Sequence, residues 1–179
     1  MGKLYSEITD ELQHWLSQQK VFFVATAPLS AEGHINCSPK GTDSFRVLGP
    51  QTVAYLDLTG SGVETIAHLQ ENGRIVIMFC AFEGAPKIVR LHGVGEAYLL
   101  GTPEFDHHSQ HFEMIPGARA IISVQVTRIS DSCGNGVPFF DFKGERNIIE
   151  KWAENKGEEG LIQYRQLKNR VSIDQLPGL

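Results

Sequence analysis

From Val21 to Ser130, short apolar runs alternate with turn-forming clusters at close spacing. "VFFVATA" (21–27) is β-branched and aromatic, the mark of a buried strand. After the turn "LSAEG", the stretch "HINCSPKG" (34–41) alternates: Ile35, Cys37 and Pro39 point one way, and His34, Asn36, Ser38 and Lys40 the other. "FRVLG" and "TVAYLDL" read as two further strands parted by Gly49-Pro50. "RIVIMFC" (74–80), "KIVRLHGVGEAYLL" (87–100) and "RAIISVQVTRIS" (119–130) follow, the second with Ile88, Arg90 and His92 on one face. Helical periodicity is sparser. Ser6 can cap a helix whose apolar face is Ile8, Leu12, Trp15 and Leu16. The segment after "LTGSG" reads as a helix that Gly73 stops. A short helix follows Thr102-Pro103, and "ERNIIEKWAENKG" is amphipathic with Ile148, Ile149, Trp152 and Ala153 inward. The tail "KNRVSIDQLPGL" is irregular.

A parallel α/β sheet needs a helix between most strands, and only one clear helix stands between strands here. The pattern predicts a mainly β fold with peripheral helices: an antiparallel barrel of about six strands. The length of 179 residues fits one domain, 1–179, with a core of about 20–130 and a helical and irregular extension over 131–179.

Composition narrows the partners. The net charge of −5 argues against nucleic acid, which calls for a basic surface. The N-terminal "MGKLYSEITDELQHWL" is not a signal peptide, and no apolar stretch has the length of a membrane span, so no membrane partner is expected. Cys37, Cys80 and Cys133 are odd in number and far apart, which speaks against a disulfide framework or zinc site and for a cytoplasmic location.

Three stretches carry candidate chemistry. In "YLDLTGSGVETIAHLQENGR" a strand enters Gly60-Ser61-Gly62 and leaves as a helix. Ser61 and Glu64 have the spacing of a capping box. That reading does not account for the two glycines or for Thr59 and Thr65, and a helix N-terminus with free amides and hydroxyls is also an anion site. The polar face Asn36, Ser38, Lys40 is either solvated or the wall of a pocket, in which Lys40 supplies a cation. "HHSQH" places His107 and His111 on one helix face beside His108, but no carboxylate or cysteine pattern supports a metal site there. Cys133 in "SCGNGVP" has no assignable catalytic partner, so a structural or pocket-lining role is expected.

The order of "HINCSPKG", "AYLDLTGSGVETIAHLQENGRIVIMF" and "KIVRLHGVGEAY" resembles the FMN-binding split-barrel superfamily typified by pyridoxamine 5'-phosphate oxidase, over residues 20–130. "SCGNGVP", "GERN" and "KNRVSIDQLPGL" look like an oxidase-related flavin-nucleotide-binding subfamily. The resemblance implies an FMN-binding homodimer with flavin at the subunit interface and an oxidoreductase of unknown small-molecule substrate. By position it implies that Asn36, Cys37, Ser38 and Lys40 form the flavin-facing strand. Leu56, Asp57 and Leu58 would pass the ring or ribityl chain, and Ser61, Gly62, Val63, Glu64 and Thr65 would form the phosphate turn. The family often has Arg-Lys after that serine; this chain has Gly62-Val63, which shifts the load to Lys40, backbone amides and Arg46. Arg90 lies on the strand the family uses near the site, and the turn with Ser132 and Cys133 would reach the partner's flavin. The C-terminal Arg and His that hold the substrate phosphate in the oxidase itself have no match in "KNRVSIDQLPGL". Relatives with this barrel use a deazaflavin or haem instead, and a non-catalytic flavin carrier or sensor is the alternative to an enzyme.

Overall fold

The computed structural model describes residues 2–179. Its strands are β1 (Leu4–Tyr5), β2 (Phe22–Thr26), β3 (Asn36–Lys40), β4 (Phe45–Gly49), β5 (Thr52–Leu58), β6 (Arg74–Cys80), β7 (Ile88–Leu99) and β8 (Ala118–Ser132). Its helices are α1 (Asp10–Ser17), α2 (Glu64–Asn72), α3 (Pro103–Ser109) and α4 (Ile148–Lys168). Each apolar run singled out above is one strand. The two-residue β1, paired with β8, is too short to leave a period in the sequence; with the seven runs it makes a sheet of eight strands where about six were expected.

All pairings are antiparallel, in the order β3-β2-β6-β7-β8-β5-β4. The sheet curls. Phe45 on terminal strand β4 meets Phe22 on β2 at 5.4 Å between ring centroids and Phe79 on β6 at 4.9 Å, from the opposite end of the strand order. Phe22, Val24, Tyr55, Ile77, Phe79, Leu91 and Ile122 fill the interior. Burial of each such side chain contributes about 1.5–3 kcal/mol, so closure is favoured wherever the inward face is this apolar. The other face of β5 is also covered: Ala54 and Leu56 pack with Ile121, Phe105 and Phe112 beside α3.

The helix ends follow local chemistry. The cap of α1 is Thr9, whose Oγ1 accepts from the Leu12 amide at 3.3 Å, so the expectation for Ser6 is corrected by three residues. Asp10 and Glu11 then sit in the first turn, where the helix dipole favours acids. Gly73 ends α2 with φ 69, a left-handed conformation suited to glycine. Thr102 caps α3 with Pro103 in its first turn. Helix α4 breaks at Gly157 (φ 63, ψ 175), and its second half buries Leu161. Gly157 and Gly160 hid that half from the periodicity. Ala153 is inward as expected, whereas Ile148 is 70% exposed.

Candidate functional site

A seam runs between β3, at one end of the strand order, and β5 with the start of α2. Polar side chains close it. Lys40 Nζ donates to Asp57 Oδ1 at 3.0 Å, and Arg119 Nε donates to Asp57 Oδ2 at 2.7 Å. Asp57 is 1% exposed. Burial pushes its carboxyl up, but Lys40 and Arg119 together outweigh burial and hold it below the usual carboxylate range. An unpaired carboxylate at this depth would cost several kcal/mol, so the two cations are conditions for having Asp57 there at all. Next to Lys40, the Tyr55 ring lies 6.0 Å from Nζ. The Tyr55 hydroxyl is buried without a hydrogen-bond partner, and burial raises its phenol well above the ordinary value.

The rest of the β3 polar face is satisfied by α2 and β2. Asn36 Nδ2 donates to Thr65 Oγ1 at 3.0 Å and to Thr26 Oγ1 at 3.2 Å, and Ser38 Oγ donates to Asn36 Oδ1 at 3.0 Å. Thr26 Oγ1 in turn lies 2.9 Å from Nδ1 of the buried His68. Burial holds that imidazole below its ordinary range. Asn36, Ser38 and Lys40 therefore line a wall half-closed by protein rather than an open wet face. Cys37 is exposed, as is Ile35 at 76%: alternation along β3 turns its side chain away from Asn36, Ser38 and Lys40.

The β5–α2 corner is built differently from a capping box. Val63 is the N-cap of α2, with no side-chain cap bond. The Glu64 carboxylate folds back over Gly62, where a side chain would collide with it, and its Oε1 accepts from the Ile173 amide at 3.3 Å. The Ser61–Glu64 box is thereby corrected: the acid is claimed by the C-terminal tail, and Ser61 is left exposed. Thr65 is buried, and so is Val63, against which Gly178 packs. Gly60 has no such internal reason, because a Cβ added there meets nothing within 4 Å and its φ is ordinary.

The tail reinforces this corner. Asn169 Nδ2 donates to the Gly60 carbonyl at 2.9 Å, and His34 Nδ1 is 2.7 Å from Asp174 Oδ1. Arg165 Nε donates to Thr59 Oγ1 at 2.9 Å, and Thr59 Oγ1 donates to the Gly117 carbonyl at 2.7 Å.

Other expected site residues lie elsewhere. The Arg46 guanidinium bonds Asp43 and the His111 carbonyl and lies 5.4 Å from the Phe112 ring, and none of these partners belongs to β3 or α2. Leu56 and Leu58 face the cluster beside α3, on the side of β5 away from Asp57. Arg90 Nη1 donates to Ser132 Oγ at 3.0 Å near exposed Cys133, which forms a separate group where β7 and β8 pair. His108 rests on Tyr98, ring centroids 4.6 Å apart, and its Nδ1 lies 2.8 Å from the Glu104 carbonyl of its own helix. Arg119, Arg165, Asn169, Thr26 and His68 were missed. Only Asp57 advertised any of them: an acid inside an apolar strand requires a cation from somewhere.

A curled antiparallel sheet, with its end strand tied by side chains across an open seam and helices kept to the rim, defines a split β-barrel. The family model described as pyridoxamine 5'-phosphate oxidase matches residues 8–133, and the chain belongs to that family. The chain is 40% identical to the pyridoxamine 5'-phosphate oxidase family protein ustO of Aspergillus flavus, over 100% of this chain and 78% of the relative. Among solved structures it is similar to HupZ from Group A Streptococcus (27% identity, TM-score 0.53, 68% of this chain and 91% of that one). It also shares the fold of the FAD binding protein of Mycobacterium smegmatis (16% identity, TM-score 0.50, 73% of this chain and 96% of that one). No helix among the described residues is long and apolar enough to cross a membrane.

Proposed function

We propose that the chain binds FMN at the β5–α2 corner and acts as a flavin-dependent oxidoreductase on a small molecule. The observation that carries this is the corner itself. The first amides of α2 have no side-chain cap, the Ser61 hydroxyl is exposed, and Gly60 is a glycine that nothing inside the chain demands. A phosphate pressed against the Gly60 backbone supplies that demand, and helix amides stabilise its charge. Glu64, the one acid in the first turn of α2, folds its carboxylate over Gly62 and is held there by the Ile173 amide, which leaves the Gly60–Ser61 side of the turn for an anion. The residues present therefore fit a single terminal phosphate. No G-x-G-x-x-G follows a strand, which favours FMN over FAD.

Bound flavin supplies the electron transfer; the chain supplies position and field. Lys40 presents an ammonium whose side chain is 22% exposed and whose orientation is fixed by Asp57. Ser38 and Asn36 offer a fixed polar wall beside it. A homodimer is part of the same reading. Trp15, Phe82, Phe140 and Phe142 line an open groove of about 840 Å³, and Phe139 beside it is 81% exposed, an apolar surface suited to a second copy of the chain. The three free cysteines accord with a cytoplasmic home.

Gly60→Ala tests the corner. Unliganded stability is expected to stay within about 0.5 kcal/mol of wild type. FMN affinity, followed by quenching of flavin fluorescence, is expected to fall tenfold or more, and riboflavin affinity by less. FAD as the released cofactor, or unchanged FMN binding by the variant, overturns the reading.

A further inference from the structure

Behind the wall of β3, a chain of polar side chains runs inward from Ser38 through Asn36 to Thr26, Thr65 and His68. Its outer members, Ser38 and Asn36, are half-buried at the seam. Its inner end is sealed: His68 is 0%, Thr26 4% and Thr65 6% exposed. Burial lowers the His68 pKa, so the imidazole is neutral there and carries one ring proton. Its Nδ1 lies 2.9 Å from Thr26 Oγ1, and its Nε2 is buried with no hydrogen-bond partner.

The direction of the chain follows from its protons. With the Asn36 amide nitrogen on the two threonines, both hydroxyl oxygens act as acceptors, at 3.2 Å and 3.0 Å. Asn36 is the one side-chain hydrogen-bond partner of Thr65 among the described residues, so the Thr65 hydroxyl proton is stranded. A second proton is stranded at His68. On Nε2 it has no acceptor; on Nδ1 it takes the Thr26 oxygen, and the Thr26 hydroxyl proton then has none. Two sealed donors without acceptors are costly. Amide oxygen and nitrogen are nearly equal in size, so the Asn36 amide turned over about its last bond fits the same space at the same distances. Turned so, Oδ1 accepts from both threonine hydroxyls, Thr26 Oγ1 accepts from His68 Nδ1–H, and Nδ2 donates to Ser38 Oγ. Inside, only the Nε2 lone pair is unmatched, which proteins tolerate better than an unmatched N–H. The one amide proton left over belongs to the half-buried Asn36. Ser38 no longer spends its proton on Asn36.

We infer that His68 carries its proton on Nδ1 and, through Thr26 and Asn36, frees the Ser38 hydroxyl to donate into the seam, so that the wall selects a ligand with a hydrogen-bond acceptor at that point. His68 is thus a positioning residue: it lies too deep to touch a ligand and acts through the chain. Hydrogen bonds aligned in one direction polarise one another, which is how a buried tautomer sets the polarity of an exposed hydroxyl. The ligand half of the inference rests on the seam being the flavin site proposed above, with an acceptor of the ring system facing Ser38. The direction of the chain does not.

Nuclear magnetic resonance of the full, flavin-free chain with 15N-labelled histidine tests the direction, because correlations between ring protons and ring nitrogens distinguish the two tautomers. Among the seven histidines, the His68 signal is the one that Thr26→Val displaces. The Nδ1–H tautomer is expected; the Nε2–H tautomer overturns the inference whether or not flavin binds. Riboflavin affinity, read by fluorescence quenching, tests the ligand half. It is expected to fall roughly three- to tenfold in Ser38→Ala, the worth of one hydrogen bond. His68→Leu is expected to lose as much, and His68→Asn, which keeps an N–H donor near the Nδ1 position, to lose less. Wild-type affinity in Ser38→Ala, or equal losses in the two His68 variants, overturns the role given to the chain. Where His68→Leu does not fold, the tautomer and Ser38→Ala still decide. A wild-type chain that binds no riboflavin overturns the flavin reading and the ligand half with it, while the tautomer still judges the direction of the chain.

Discussion

Lys40→Met removes an ammonium and keeps most of the stem. Read from the sequence alone, Lys40 stands on a polar strand face, and its loss should leave the flavin-free protein as stable as before. The structure changes that expectation, because Lys40 is one of two cations on a carboxylate that is 1% exposed. Removing one partner of a fully buried pair costs about 3–5 kcal/mol. Here Arg119 still holds the second oxygen at 2.7 Å, and the Lys40 side chain is 22% exposed, so water reaches part of the vacated site. The cost is therefore about 1–3 kcal/mol. For a chain of this size, about 2 kcal/mol lowers the midpoint by roughly 4–8 °C. The assay is thermal unfolding of the flavin-free protein for wild type, Lys40→Met, Asp57→Asn and the double variant. A coupling energy of about 1–3 kcal/mol is expected from the cycle. A Lys40→Met midpoint within about 1 °C of wild type would refute the reasoning, since the pair would then be worth no more than an exposed surface contact.

Acid sensitivity should follow from the same carboxylate. Asp57 is held below its ordinary value of 3.8 in the folded chain, so its contribution is fully present above the unfolded value and is lost as pH falls through the folded one. Denaturant unfolding between pH 7 and pH 2.5 should show a shallower decline below about pH 4 in Asp57→Asn than in wild type; parallel curves would show that Asp57 does not titrate as described. Gly73→Ala forces a side chain into φ 69 and sets its Cβ 2.8 Å from Val94 Cγ1. A loss of about 1–2 kcal/mol in the urea midpoint is expected, and an unchanged midpoint would mean that α2 ends elsewhere without strain.

The strands were legible because their signal is local. Phe22 to Thr26 and Arg74 to Cys80 carry their β character in each residue, and Gly73 carries the stop of α2 by itself. The barrel class followed from counting such runs. The site was legible only in part. Asn36, Ser38 and Lys40 share a face by simple alternation, and the structure keeps them together. What they face is set by contacts far apart in sequence. Arg119 reaches Asp57 from 62 residues away, and Arg165 reaches Thr59 from 106. Glu64 could not be read as the partner of Ile173 because the bond joins a side chain to a backbone amide in an irregular tail. A capping-box spacing is necessary for the box but does not secure it when another donor competes.

The tail has a temporal consequence. Gly60, Glu64 and His34 take partners at Asn169, Ile173 and Asp174, separations of 109, 109 and 140 residues. A chain emerging from the ribosome can pair β2 through β8 while these partners are still unmade. The corner that is proposed to hold the cofactor phosphate is therefore the last part of the barrel to acquire its lateral supports. Long-range closures of this kind slow folding, because the entropy of the loop is lost before the contact is gained. A flavin that meets the chain before these bonds form would find a sheet already formed but a corner still loose, so tight binding at the proposed phosphate corner waits for the segment 169–174 to dock.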